Sequence, residues 1–283
     1  MRITAIAYLL PFTIQLPEKV ELESNVIIRK LTEQEKERKR SNRLLSIREF
    51  DFESLKYCIE VTLDLEEPSE RTPIFVGEPT YKQFEEVFDK VLLSLRLFKV
   101  GSIGYNEFDL YQNSQYIATI SRITYFWGMP YILGTDQREL IDFYNQIKDL
   151  FPIDFTKIAM ERFRTIYERE KEEDRLIDLF IALESLFIES NAELTYRLAL
   201  NVSSYLYEEY SERKVNFDKI KKAYGIRSKI IHGNSSSITG EELSETRYFI
   251  ENCFRESIKK ILIGKQGRDK NFFLDYVEER VLS

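Results

Sequence analysis

Lys219-Ile-Lys-Lys-Ala-Tyr-Gly-Ile-Arg-Ser-Lys-Ile-Ile-His-Gly233 is the stretch from which this chain is best read. It reads as the last turns of a helix over about 215–232, with Gly233 where a glycine commonly follows a final helical turn. It also holds His232, the only histidine in 283 residues. Histidine is the one side chain whose unperturbed pKa lies near neutral pH. Arg227, five positions earlier, is the type best shaped to grip a phosphate with two parallel hydrogen bonds.

Working outward, nearly everything from Phe155 to Ser283 has helical character. Helices are expected over about 155–170, 172–187, 192–210, 215–232, 240–263 and 270–282. Thr239-Gly-Glu-Glu has the form of an N-cap followed by acidic residues in the first turn. Upstream the pattern changes. Residues 3–16, 20–31, 47–65, 103–111 and 116–127 alternate or are rich in β-branched and aromatic types, which predicts strands. One amphipathic helix interrupts them, with Phe84, Val87, Phe88, Val91, Leu92, Leu95 and Phe98 at helical spacing before Gly101 and Gly104. Glu66 to Pro73 reads as a loop, and Gly128-Met-Pro130 closes the last strand. Thr32 to Arg43 has no apolar stripe and reads as a solvated loop or short helix whose basic end, from Arg38 on, faces solvent or an anionic partner. The expected class is α+β: a mostly β domain over 1–135, a linker helix within 136–154 and an all-α bundle over 155–283.

The bulk numbers narrow the function classes. A formal charge of −7 argues against coating nucleic acid non-specifically, though not against a local basic groove. Cys58 and Cys253 are far apart, so neither a disulfide framework nor a His/Cys metal cluster is indicated; an all-carboxylate magnesium site stays open. The apolar N-terminus, interrupted by Pro11 and lacking a small-residue cleavage site, fits a buried first strand better than a signal peptide. No apolar run approaches the roughly 18 residues of a membrane span, and a reducing cytoplasm is the expected setting. The β-rich half carries no phosphate loop, dinucleotide fingerprint or triad spacing.

The candidate chemistry therefore gathers around Arg227 and His232. On a regular helix they lie about 140° apart, not on one face. A frayed end at Gly233 would let His232 swing toward the arginine, and a second subunit could close the site across a two-fold axis. Lys219, Lys221, Lys222 and Lys229, against Asp218, form a local basic strip; Lys222 and Lys229 are the expected RNA contacts. Glu184 interrupts the apolar run Leu179 to Phe187, and Asn201 falls within the stripe of Leu194, Leu198, Val202 and Tyr205. A half-buried polar group needs a partner, so each either orients the Arg–His pair or makes a structural contact. Tyr224 reads as core, and Ser228 as a local hydrogen-bonding residue. A lone Arg-x-x-x-x-His is a weak pattern, and a histidine at a helix end often only caps carbonyls.

Three segments in sequence carry more. Arg175-Leu-Ile-Asp-Leu-Phe-Ile-Ala-Leu-Glu-Ser-Leu-Phe187, Glu193-Leu-Thr-Tyr-Arg-Leu-Ala-Leu200 and Lys222-Ala-Tyr-Gly-Ile-Arg-Ser-Lys-Ile-Ile-His-Gly233 resemble the HEPN superfamily, in particular its ApeA-like branch. The resemblance covers residues 155–263 and leaves 1–135 outside, where ApeA-like proteins often carry a variable domain. It implies a helical bundle that forms a homodimer, with the family's Arg and His on Arg227 and His232 near the interface. It implies a metal-independent endoribonuclease with no cofactor, acting on RNA by 2′-OH attack in toxin, antiphage or stress-response settings. Ser228 supplies the polar residue usual after the arginine. One departure is Asn201, where the family's helix often carries an arginine. The alternative is an inactive HEPN module that binds RNA, a nucleotide or a partner protein. The ligand or signal of the N-terminal domain is not legible.

Overall fold

Strand β1 (Arg2–Leu10) is buried along nearly its whole length. Residues alternate across a strand, so Ile3, Ala5, Ala7 and Leu9 join one core cluster and Ile6, Tyr8 and Leu10 another. An apolar run without polar alternation is therefore a central strand covered on both faces. The computed structural model describes residues 1–10, 14–41, 55–65, 78–121, 124, 126, 129–150, 153–189, 192–264 and 269–282. The loop expected at 66–73, the first part of the strand expected at 47–65 and the closing Gly128 lie outside the described residues. The architecture is α+β, with chain contacts dividing it into two units, Met1–Lys148 and Asp149–Ser283.

The first unit is a six-stranded sheet in the order β2-β3-β4-β1-β5-β6. The other strands are β2 (Lys19–Glu23), β3 (Val26–Lys30), β4 (Tyr57–Asp64), β5 (Gly104–Gln112) and β6 (Gln115–Ser121). Every neighbouring pair is antiparallel. Residues 20–31, expected as one strand, form a hairpin turning at Ser24-Asn25. Ser and Asn are residues that bond their own backbone in tight turns. Helix α2 (Glu78–Phe98) lays Phe84, Phe88, Val91 and Leu95 into the larger core. Helix α3 (Gln137–Ile147) adds Leu140 and Tyr144 to the same core. The segment expected as a linker is thus part of the first unit, because its apolar stripe has a sheet to pack on.

Helix α1 (Glu33–Ser41) is the short helix that the reading of 32–43 allowed, but it is not solvated throughout. Thr32 and Glu35 cap its start reciprocally: the Thr32 backbone N–H donates to Glu35 at 2.7 Å, and the Glu35 N–H donates to the Thr32 hydroxyl at 3.3 Å. Further along, Lys39 is 5% exposed. Its ammonium lies 2.9 Å from Asp109 and 3.0 Å from Glu107, and 4.3 Å from the centre of the Tyr8 ring. Asp109, fully buried on β5, also accepts from the Tyr8 and Thr119 hydroxyls, each at 2.6 Å. A lysine in a charge run is solvated by default, and only the carboxylate facing it makes burial possible.

The second unit is helical, as expected. Its helices are α4 (Lys157–Thr165), α5 (Glu172–Phe187), α6 (Leu194–Leu206), α7 (Tyr210–Ile231), α8 (Gly240–Ile263) and α9 (Lys270–Leu282). The single helix expected over 155–170 is shorter, flanked by 3₁₀ turns at Asp154–Thr156 and Ile166–Glu168. Thr165 donates its hydroxyl to the Arg162 carbonyl at 3.1 Å, a local bond that competes with the helical ladder. The Thr239 cap of α8 is as read, its hydroxyl accepting from the Glu242 N–H at 3.1 Å. A buried charge network anchors α5 against α8: Arg247 donates to Glu172 at 2.9 Å and also to Glu251, while Arg175 donates to Glu172 at 2.6 Å. Tyr167 donates to Glu251, tying in the turn after α4. This fixes the base of α5, the helix that carries Glu184.

Asp109→Ala leaves the buried Lys39 ammonium with Glu107 alone and takes the acceptor from the Tyr8 and Thr119 hydroxyls. The expected loss of stability is about 3–5 kcal/mol, read as a lowered urea midpoint; an unchanged midpoint would contradict the burial of this pair.

Candidate functional site

Helix α7 runs without interruption through Arg227 and ends at Ile231, with His232 as its C-cap. The end is not frayed. Gly233 adopts φ +74°, the left-handed region that favours glycine. Its N–H donates to the Ile230 carbonyl at 3.0 Å, and the Asn234 N–H donates to the Lys229 carbonyl at 2.8 Å. The His232 N–H donates to the Ser228 carbonyl at 3.1 Å. This pair of reversed bonds is a Schellman closure. It holds the histidine backbone and leaves side-chain rotation as the freedom available to its exposed imidazole.

Arg227 reaches toward α5. Its Nη1 donates to the Tyr224 hydroxyl at 3.0 Å, and that hydroxyl donates to Glu184 Oε1 at 2.9 Å. Nη2 lies 3.6 Å from the same carboxylate oxygen, with the two side chains 18% and 21% exposed. The guanidinium carbon sits 5.0 Å from the centre of the Tyr224 ring, within cation–π range. Burial first, and the neighbouring Glu184 second, raise the Tyr224 pKa above its ordinary value, so the phenol keeps its proton. Arg227 Nε is buried and has no hydrogen-bond partner among the described residues. An unmet buried donor costs about 1–3 kcal/mol, a cost borne here by a nitrogen that the surrounding atoms cover.

The structure brings Glu184 and Arg227 together, one of the two alternatives the sequence left open for Glu184, and adds Tyr224, which was read only as core. The signal was present: residues three apart on a helix are neighbours, and a tyrosine needs a partner for its hydroxyl when buried. No hydrogen bond joins the Arg227 and His232 side chains among the described residues. Their separation around α7 is the one set by their spacing. Ser228 is half-buried and serves the histidine through its carbonyl. Lys229 is exposed, and Lys222, also exposed, lies 3.2 Å from Glu242.

Asn201 goes elsewhere. Its side-chain amide donates to the Phe187 carbonyl at 2.9 Å, satisfying the end of α5. It lines a groove of about 510 Å³ together with Arg197, Leu200, Leu274 and Val277, from α6 and α9. The contact it makes is structural, and the expectation that it might orient the Arg–His pair is not supported by any bond to Arg227. No group of three or more His, Cys, Asp or Glu side chains able to hold a metal ion is found among the described residues, nor is any helix there long and apolar enough to cross a membrane.

A Cβ at position 233 would meet nothing within 4 Å, so Gly233→Ala tests backbone conformation alone. The expected cost is about 1–2 kcal/mol, read as a lower thermal midpoint for the second unit. An unchanged midpoint would show that the left-handed closure beside His232 is not required.

No protein-family model matches the chain, and neither a curated protein nor a solved structure is detectably similar to it.

Proposed function

We propose that the helical unit is a metal-independent endoribonuclease of the HEPN type. The observation that supports this reading is Arg227: a guanidinium held by Tyr224 and Glu184, its side chain 18% exposed, on the helix that ends at His232. A phosphate oxygen is the natural acceptor for the donors such a group has left over.

The chemistry uses what RNA supplies. The 2′-hydroxyl stands beside each phosphate. His232 takes its proton, and the resulting alkoxide forms a bond to the adjacent phosphorus. The P–O5′ bond breaks, and the leaving oxygen takes up a proton, returned by the imidazolium or drawn from water. The products are a 2′,3′-cyclic phosphate and a 5′-hydroxyl. Arg227 holds the phosphoryl oxygens and offsets the charge that develops on them. Lys222 and Lys229, exposed on α7, contact the flanking backbone. Because Arg227 and His232 stand about 140° apart around α7 and no hydrogen bond joins their side chains among the described residues, the complete site draws on a second copy of the chain, pairing the two helices in a homodimer. Toxin, antiphage or stress-response roles follow from the resemblance and a cytoplasmic setting accompanies them.

A second reading has its own observation. No bond joins Arg227 and His232 within one chain, and Asn201 stands where the family often carries an arginine. A HEPN module that binds RNA or a protein without cleaving would tolerate both.

Purified protein is expected to cleave single-stranded RNA in the presence of a chelator and to leave 2′,3′-cyclic phosphate ends. The 2′-deoxy analogue is expected to stay intact. Arg227→Ala and His232→Ala should each lower the rate by at least about 100-fold. Binding without cleavage by the wild type, unaltered by His232→Ala, would favour the silent module.

A further inference from the structure

The fold leaves one polar side chain of the helical site without an assigned part. Tyr224 is 7% exposed, and its ring packs edge-on against Phe180 of α5 with centroids 5.2 Å apart. A phenylalanine would serve that packing equally well. The hydroxyl is what the packing does not explain.

Its hydrogen-bond directions are fixed by chemistry. Arginine only donates, so the hydroxyl oxygen must accept from Nη1, and its single hydrogen must go to an acceptor. Glu184 Oε1 is that acceptor, at 2.9 Å. The direct approach of Nη2 to Glu184, 3.6 Å, is longer than a hydrogen bond. The tyrosine oxygen is therefore the short link through which the α5 carboxylate holds the α7 guanidinium. The bond sequence runs carboxylate, phenol, guanidinium, and the guanidinium at its end keeps donors that this link does not use.

We infer that Tyr224 is a positioning residue for phosphate recognition by Arg227, its hydroxyl bridging Glu184 to Nη1 so that the guanidinium presents its remaining donors at a fixed angle. This rests on the reading of Arg227 as a phosphate clamp. Tyr224 itself touches no substrate. It acts by restricting the rotation of a long side chain that would otherwise sample several rotamers, and a clamp displaced by about 1 Å costs as much as 100-fold in rate.

Tyr224→Phe tests this with little change in volume: the ring, the Phe180 contact and the cation–π contact remain, and only the bridging oxygen is lost. The expected result is a kcat for RNA cleavage lowered roughly 10- to 100-fold, KM changed by less than about twofold, and a circular dichroism spectrum like that of the wild type. Glu184→Ala should produce a similar fall, and the double variant should be little worse than either single one, because both cut the same link. Additive losses, or a kcat equal to that of the wild type in Tyr224→Phe, would overturn the positioning role while leaving the nuclease reading intact. If the wild type does not cleave, the readout is affinity for a 2′-O-methyl oligoribonucleotide. Weakened binding in both Arg227→Ala and Tyr224→Phe supports the inference in a silent module. Binding unaffected by Tyr224→Phe, or no binding by the wild type at all, overturns it.

Discussion

A single phenolic oxygen joins the two helices on which the candidate chemistry rests. Glu184 projects from α5, Arg227 from α7, and the hydroxyl of Tyr224 accepts from one and donates to the other. Three polar groups that would each be costly to half-bury alone become compatible with the core as a set. The order of the bonds is dictated by a donor-only cation and an acceptor-only anion. The rest of the second unit sustains this arrangement. Arg175 and Arg247, both buried, hold the first turn of α5 through Glu172. Asn201 caps the far end of the same helix at Phe187. With both ends of α5 fastened, Glu184 has a defined place from which to act.

The end of α7 is under a different constraint. The reversed bonds at Gly233 and Asn234 terminate the helix sharply and hold the backbone of His232. The imidazole is exposed, as are Lys222 and Lys229 of the same helix. In the proposed mechanism the proton-transfer group and the phosphate clamp stand about 140° apart around one helix, a separation that a second chain would bridge. In a paired arrangement each chain would lend its exposed flank to its neighbour's anchored one, which is how the resemblance to dimeric HEPN domains and the single-chain geometry become compatible.

Much of this could be read from the residues. The helices of the second unit announced themselves by apolar periodicity, and the Thr239 cap and Gly233 closure marked two boundaries because capping chemistry is local. Strand β1 was legible because a strand buried on both faces has an unbroken apolar run. What escaped shares one cause: partners distant in sequence. Lys39 looked solvated within its charge run, and Glu107 with Asp109, 70 positions away, makes it part of an interior. The helix after residue 136 looked like a linker because the sheet and α2 that receive Leu140 and Tyr144 are far upstream. Tyr224 looked like core and is core, yet its hydroxyl links to Glu184 40 positions earlier. The hairpin within 20–31 was missed for a local reason, since two turn residues were absorbed into a pattern of alternation that continued across them.

The central claim is that Arg227 grips a phosphate while an imidazole reaches the neighbouring sugar. A crystal structure of the protein with a 2′-O-methyl oligoribonucleotide examines this most directly. The account predicts a phosphate oxygen within hydrogen-bonding distance of the Arg227 guanidinium, with a His232 imidazole from the same or a paired chain beside the adjacent 2′ oxygen. An oligonucleotide bound elsewhere, with the Arg227 edge empty and His232 facing bulk solvent, would contradict it.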